Sequence, residues 1–351
     1  MPVAPEHVDV FVSGEDGVCE YRIPALIVTN RGTLVAVCDA RVDRPGDAPN
    51  NIDLVMKRSF DGGRTWTPLQ LIRRYPGDEA ACDPCALVDR DTGAIWVFYD
   101  YAVPAPDHRE RRILKLHATK SADDGETWSD PIDLAAQLKD PTWQAIYAGP
   151  GMGIQMRNGR LAVPVYSRQS DSEVSSCHVI YSDDRGRTWQ IGEGVGSQVN
   201  EAQIVELTDG SLMINMRGTD QRLCRSVAIS RDGGESWSEP RHDATLIEPH
   251  CQASFIRYTE QQDDEGISRL LFANCASTRA RVNGTVRLSY DEGRTWPVAR
   301  TIYAGQFAYC CLTVLPDGTI GLLYERDNYA ALTFAGFTLD WLTDGKDTLS
   351  G

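Results

Sequence analysis

One eight-residue phrase, Ser-x-Asp-x-Gly-x-Thr/Ser-Trp, is written five times along the chain and restricts its possible folds more than any other feature. The copies run from Ser59 to Trp66, Ser121 to Trp128, Ser182 to Trp189, Ser230 to Trp237 and Ser289 to Trp296. Successive serines are separated by 62, 61, 48 and 59 residues. Spacing this regular is the mark of a repeated supersecondary unit. In each copy the Asp carboxylate can accept hydrogen bonds from turn N–H groups, the Gly can take positive φ, and the Trp supplies a large apolar face. The phrase is therefore expected to staple two adjacent strands of a unit and to mark the fold, leaving the chemistry to other residues.

Strand signals surround the repeats. Ala25 to Val28, Thr33 to Cys38, Ile52 to Arg58, Ile95 to Tyr99, Leu161 to Tyr166, Leu212 to Met216, Leu270 to Ala273, Val286 to Ser289 and Thr319 to Tyr324 are short apolar runs bounded by Gly, Asp, Asn and Pro. Asn158-Gly159, Asp209-Gly210 and Asp317-Gly318 are hairpin signals. Only Ile132 to Leu138 reads as helical. Five repeats and room for one more unit predict an all-β chain: a six-bladed β-propeller with four-stranded antiparallel blades, forming one domain over residues 1–351. Closure is expected to join the termini, with Val8 to Val12 supplying the first strand and Ala331 to Trp341 the last.

Composition narrows the function classes. The formal charge of −15 repels nucleic acid and anionic membrane surfaces, no basic tract offsets it, and no apolar run is long enough to span a bilayer. An acidic protein that handles an anion must concentrate positive charge in its pocket, so clustered arginines carry weight here. The ten cysteines are irregularly spaced in a chain too long to need a disulfide framework. The N-terminal sequence lacks the basic start and apolar core of a secretory signal, which predicts a cytoplasmic protein unless a signal has been trimmed. Cys82-x-x-Cys85 has no second pair to complete a zinc site, and the six histidines show no metal-binding spacing, so neither a metal nor a cofactor is expected. Cys310-Cys311 reads as buried packing, and the Asn283-Gly284-Thr285 sequon carries little meaning without secretion.

Tyr21-Arg22-Ile23-Pro24 leads into the first strong strand, and Pro24 favours an extended segment at Ile23. With this Arg-Ile-Pro near the N-terminus and the five repeats, which look like Asp-boxes, the chain resembles the exo-α-sialidase (neuraminidase) superfamily, especially its bacterial glycoside hydrolases. The resemblance runs from Asp9 to Trp341. It implies an anionic substrate, a sialylated glycan or related nonulosonic-acid glycoside, whose carboxylate sits on the anomeric carbon. Arginines suit that carboxylate because they bind it bidentately, and a neutral tyrosine suits the nucleophile because the substrate's own charge would repel a carboxylate. A phenol with a pKa of about 10 then needs a neighbouring Glu to take its proton.

The resemblance assigns each role to a position. Arg22, Arg217 and Arg281 match the carboxylate-binding arginines, with Arg279 an alternative to Arg281. Tyr309 matches the nucleophile, although Cys310 stands where the family commonly has Ser. Glu201 matches the glutamate that activates the tyrosine; Glu206, five residues on, would face the opposite side of a regular strand. The acid/base Asp is expected in the loop from Asp39 to Asn51, as Asp47 or alternatively Asp43, with Arg41 a further arginine near the site and Asp83 a pocket carboxylate. Two rival readings share these features: an enzyme that acts on another nonulosonic acid or transfers the sugar, and a non-catalytic Asp-box propeller that binds glycans or proteins.

Overall fold

The computed structural model describes residues 3–105, 108–170, 172, 174–260 and 266–349. Its regular structure is 25 β-strands and two short helices, so the all-β expectation holds. The strands follow one another as antiparallel meanders. The first is β2 (Glu20–Val28), β3 (Leu34–Arg41), β4 (Ile52–Ser59) and β5 (Gln70–Arg73), where β1 (Glu6–Val12) precedes it in the chain but pairs elsewhere. The second is β6 (Ala80–Val88), β7 (Ile95–Ala105), β8 (His108–Ser121) and β9 (Ile132–Asp133), followed by helix α1 (Ala135–Leu138). The third is β10 (Trp143–Ala148), β13 (Leu161–Gln169), β14 (Ser175–Ser182) and β15 (Gln190–Ile191), with β11 (Gly151–Met152) and β12 (Ile154–Gln155) in its first connection.

The fourth meander is β16 (Val199–Glu206), β17 (Leu212–Gly218), β18 (Cys224–Ser230) and β19 (Arg241–Ile247). The fifth is β20 (Ser254–Thr259), β21 (Arg269–Cys275), β22 (Val282–Ser289) and the first half of β23 (Val298–Val314). The second half of β23 opens the last, pairing with β24 (Ile320–Arg326), which pairs with β25 (Ala331–Phe337). β1 then lies antiparallel to β25, with Val8 opposite Phe334, so the N-terminal strand completes the C-terminal meander as expected. All three expected hairpin dipeptides fall between paired strands.

The inner strands of these sheets are buried on both faces, because the apolar clusters lie between meanders. Val37 and Leu54 of the first pack with Val97 and Tyr99 of the second. Equivalent clusters join second to third, third to fourth, fourth to fifth and fifth to sixth. A last cluster returns from Phe334 and Leu332 to Leu26 and Leu34 of the first. The contacts form a closed cycle.

The five phrases share one set of Ser–Gly and Asp–Thr/Ser hydrogen bonds and differ in what their Trp indoles reach. In the first, Gly63 N–H donates to Ser59 Oγ at 2.9 Å, Thr65 N–H donates to Asp61 Oδ1 at 2.9 Å, and Thr65 Oγ1 donates to Asp61 Oδ2 at 2.7 Å. These bonds hold the Asp61 carboxyl down at about 2, the Thr65 hydroxyl contributing most. The phrase does more than staple two strands of its own unit. A Cβ on Gly63, at φ +90°, would lie 2.2 Å from the Phe334 ring of the last meander, and one on Gly186 would lie 2.3 Å from Trp96 of the second. Glycine is thus needed twice over, for positive φ and for the approach of a preceding meander.

Two local expectations are corrected. Ile132 to Leu138 divides into β9 and α1, because Ile132 completes a pair with Ala118 before the chain turns. The segment Ala331 to Trp341 is a strand only to Phe337. Thr338 then caps a helix, α2 (Leu339–Thr343), by accepting from Trp341 N–H.

Candidate active site

Four of the residues singled out in the sequence, Arg22, Asp83, Glu201 and Tyr309, lie on the first strands of their meanders at places where the ladder breaks. Arg217 and Arg41 lie at the ends of second strands, Arg281 precedes β22 and Asp47 lies in the loop after β3. β2 is bulged between Arg22 and Ala25, β6 between Cys82 and Cys85, β16 between Val199 and Ala202, and the second half of β23 between Phe307 and Cys310. A bulge frees backbone groups from the ladder and re-aims side chains. Here the freed groups are held by buried carboxylates on second strands. Glu325 on β24 accepts from Ile23 N–H at 2.8 Å and from Tyr309 N–H at 3.0 Å. Asp39 on β3 accepts from Asp83 N–H at 2.9 Å, and Asp100 on β7 from Ala148 N–H at 2.9 Å. Ile23 and Asp83 both have positive φ, at 60° and 58°.

Tyr309, Glu201 and Arg217 meet directly, although Tyr309 and Glu201 are 108 residues apart in sequence. The Tyr309 hydroxyl donates to Glu201 Oε1. Arg217 Nη1 donates to Glu201 Oε2 at 2.6 Å and to the Tyr309 oxygen at 2.8 Å. Burial, with the Glu201 carboxylate beside it, pushes the phenol well above its ordinary value, and Arg217 works against that rise. The proton of a hard-to-ionise phenol therefore points at a carboxylate able to take it, while a guanidinium waits for the oxygen's developing charge. Arg225, fully buried, braces this unit through Glu248 at 2.9 Å and Asn215 Oδ1 at 2.7 Å.

Two more guanidinia flank the ring of Tyr309. The Arg22 Cζ lies 5.5 Å from the ring centroid and that of Arg281 5.4 Å from it. Arg22 gives only its Nε, to Glu325 at 2.6 Å, so neither of its Nη groups has a hydrogen-bond acceptor among the described residues. Arg281 makes no ion pair there; its Nη groups reach only the Tyr329 hydroxyl at 3.3 Å and His250 O at 3.2 Å. In a chain of net charge −15, three clustered arginines with donors to spare are a site for an anion.

Asp47 lies exposed at the rim, its Oδ1 accepting from Arg41 Nη2 at 2.7 Å, and Arg41 also pairs with Glu20 at 3.0 Å. Partial burial raises the Asp47 pKa, but Arg41, then Arg112 and Arg22, outweigh it and hold the carboxyl below its usual range. Arg112, from the second meander, ties down the loop by donating to Ala48 O at 2.8 Å. Asp83 is pushed up to about 6 by burial and by the charges of Glu201 and Asp47, against Arg112 and Arg41. These mutual effects place Asp83 among the same groups. Asp43 is exposed and only accepts from Asn51 at 3.1 Å.

Arg279 is exposed, and Glu206 pairs with Arg157 at 3.2 Å, so neither joins the cluster around Tyr309. Sequence reasoning missed Glu325, Asp39 and Asp100. Each is an acid that directly follows an apolar run on a second strand, in Leu322-Leu323-Tyr324-Glu325, Val37-Cys38-Asp39 and Phe98-Tyr99-Asp100, a recurrence that could have flagged them. Arg225 and Tyr329 carry no such signal. Among the described residues, no group of three or more His, Cys, Asp or Glu side chains is placed to hold a metal ion.

A family model described as a BNR repeat-like domain matches residues 32–322. A protein named sialidase from Micromonospora viridifaciens is 39% identical over 95% of this chain and 54% of its own length. Another, from Bacteroides fragilis (strain YCH46), is 34% identical over 93% of this chain and 63% of its own length. The chain thus spans just over half to under two-thirds of these two relatives. Among solved structures, Hadza microbial sialidase Hz136 superposes with a TM-score of 0.88 at 34% identity, covering 96% of this chain and 69% of that one.

Proposed function

The chain belongs to the sialidase family with BNR repeats, and from that premise we propose that it is a retaining exo-α-sialidase releasing terminal sialic acids from glycoconjugates. The single observation that carries this reading is the Tyr309–Glu201–Arg217 contact, with the unspent Nη donors of Arg22 beside it. We read the six meanders as four-stranded blades of a six-bladed β-propeller, a reading supported by the closed cycle of apolar clusters and the β1–β25 pairing.

In this mechanism Arg22, Arg217 and Arg281 bind the substrate carboxylate and fix the anomeric carbon over Tyr309. The phenolic oxygen attacks that carbon as Glu201 takes its proton, and the glycosidic C–O bond breaks as Asp47 protonates the leaving oxygen. The product is a tyrosyl-glycoside. Water then attacks the same carbon, Asp47 takes the water's proton, and the Tyr309 oxygen departs and recovers its proton from Glu201. Two displacements retain the configuration. Arg41 holds Asp47 and the Asp83 carboxyl lines the pocket.

The test pairs a fluorogenic sialoside with the Tyr309→Phe variant. Wild type is expected to release the fluorophore and give the α-anomer as first product by proton NMR. The variant is expected to lose roughly 10²-fold or more in kcat while melting at the wild-type temperature, since a covalent route has been removed. A β-anomer as first product, or full activity in the variant, would overturn the mechanism.

A further inference from the structure

Tyr329 is assigned no role by the mechanism, yet it touches two of the three clustered guanidinia. Its ring centroid lies 3.8 Å from the Arg22 Cζ, and its hydroxyl accepts from Arg281 Nη1 at 3.3 Å. The two arginines come from distant parts of the chain, on β2 and just before β22. Two like charges beside one another repel, and among the described residues Arg281 has no carboxylate partner to hold it. The Tyr309 ring also faces both guanidinia, at 5.5 and 5.4 Å, but Tyr329 lies closer to Arg22 and is the one side chain among the described residues that hydrogen-bonds to Arg281.

Its backbone is unusual in the same place. Asp327, Asn328 and Tyr329 are three consecutive residues in the left-handed region, with φ of 50°, 54° and 65°. Asp and Asn tolerate that region; Tyr rarely enters it. The conformation is over-determined by its surroundings. Ser13 Oγ donates to Tyr329 O at 2.7 Å, Ala330 N–H donates to Arg326 O at 3.0 Å, and Tyr303 OH donates to Asp327 Oδ1 at 2.6 Å. Strain that neighbours enforce beside a cluster of charges is the pattern of a functional constraint.

We propose that Tyr329 is a positioning residue that sets the spacing of Arg22 and Arg281. Its ring face fixes the Arg22 plane by a cation–π contact, and its hydroxyl fixes Arg281, so both present donors to one carboxylate without rearranging when it arrives. The inference rests on the sialidase reading for the identity of the anion; the spacing itself does not depend on it.

Two variants separate the two contacts. Tyr329→Phe keeps the ring and loses the hydroxyl, and Tyr329→Leu loses both. Crystal structures are expected to show Arg281 displaced or in several conformers in Tyr329→Phe, and both guanidinia so in Tyr329→Leu. On a fluorogenic sialoside KM should rise about 3- to 10-fold in Tyr329→Phe and about 10- to 100-fold in Tyr329→Leu, with kcat changed far less, since carboxylate contacts persist from bound substrate through the transition state. A merely structural role would lower the melting temperature and the active fraction without moving KM. Guanidinia unmoved in Tyr329→Leu, or KM unchanged in an active enzyme, would overturn the proposal. A wild type inactive on every sialoside would sink the functional reading instead, and the crystal comparison would still decide the spacing.

Discussion

At the scale of single residues the site turns on matching proton affinities. Tyr309 is pushed up by burial and Asp47 is held down by Arg41, Arg112 and Arg22, so in the free protein both the proposed nucleophile and the proposed acid are in the less reactive protonation state at neutral pH. An anionic substrate changes the balance at Asp47: its carboxylate neutralises Arg22, and the Asp47 pKa rises. A general acid works below its pKa, so the alkaline limb is expected at higher pH in the kcat profile, which reports the complex, than in kcat/KM, which reports the free enzyme. Arg41→Met removes the nearest cation and should move the kcat/KM limb upward, measured as pH-rate profiles beside wild type. An unmoved limb would take Asp47 out of the acid role. Asp83, titrating near 6, adds a second ionisation to the same neighbourhood.

Among the elements, the repeated turn is where acid should act first. Asp61, Asp123 and Asp184 are each held at about 2 by their Thr and Ser partners. The sign follows from linkage. A carboxyl depressed in the folded state stabilises it above the unfolded value of about 3.9, and that contribution is lost as pH falls toward 2. Thermal melts are therefore expected to drop between pH 4 and pH 2. Asp61→Asn, which cannot titrate, should melt below wild type at pH 7 and lose less over that window. Equal losses in both proteins would mean that the acid response arises elsewhere.

On the scale of the whole molecule, closure decides stability. The cluster holding Phe11, Tyr21, Leu26 and Phe334 joins β1, the first meander and the last. Phe11 is fully buried and packs at a tilt against Tyr21, with ring centroids 5.3 Å apart, so Phe11→Ala should cost about 3–5 kcal/mol by the lost transfer and cavity terms. Chemical denaturation followed by tryptophan fluorescence would measure it. Because the apolar clusters form a cycle, the loss is expected in the one main transition and not in an early local step. It should also reduce activity as the chain opens, since β1 lies on β25 beyond β24, the strand whose Glu325 aligns Arg22 and Tyr309.

The strands, the repeat and the residues gathered at the site were legible in the sequence because each depends on local chemistry or on a family pattern. An apolar run between turn residues forms a strand wherever it packs, and Asp61 reaches Thr65 whatever surrounds it. The helix at Leu339–Thr343 was not legible, since a Thr cap inside an apolar run competes with strand pairing and only the end of β25 decides between them. Nor was the second duty of each repeated turn, because the partner of Gly63 is Phe334, 271 residues away and brought near only by closure. The sequence by itself determined an all-β chain of repeated units with Tyr309, Glu201 and the arginines as its chemical groups. Only the tertiary structure decided that Arg281 and not Arg279 meets Tyr309, that Glu325 serves both Arg22 and Tyr309, and that Tyr329 spans two like charges. Each of those outcomes depends on bulges and buried carboxylates that belong to different strands, and no spacing along one strand encodes them.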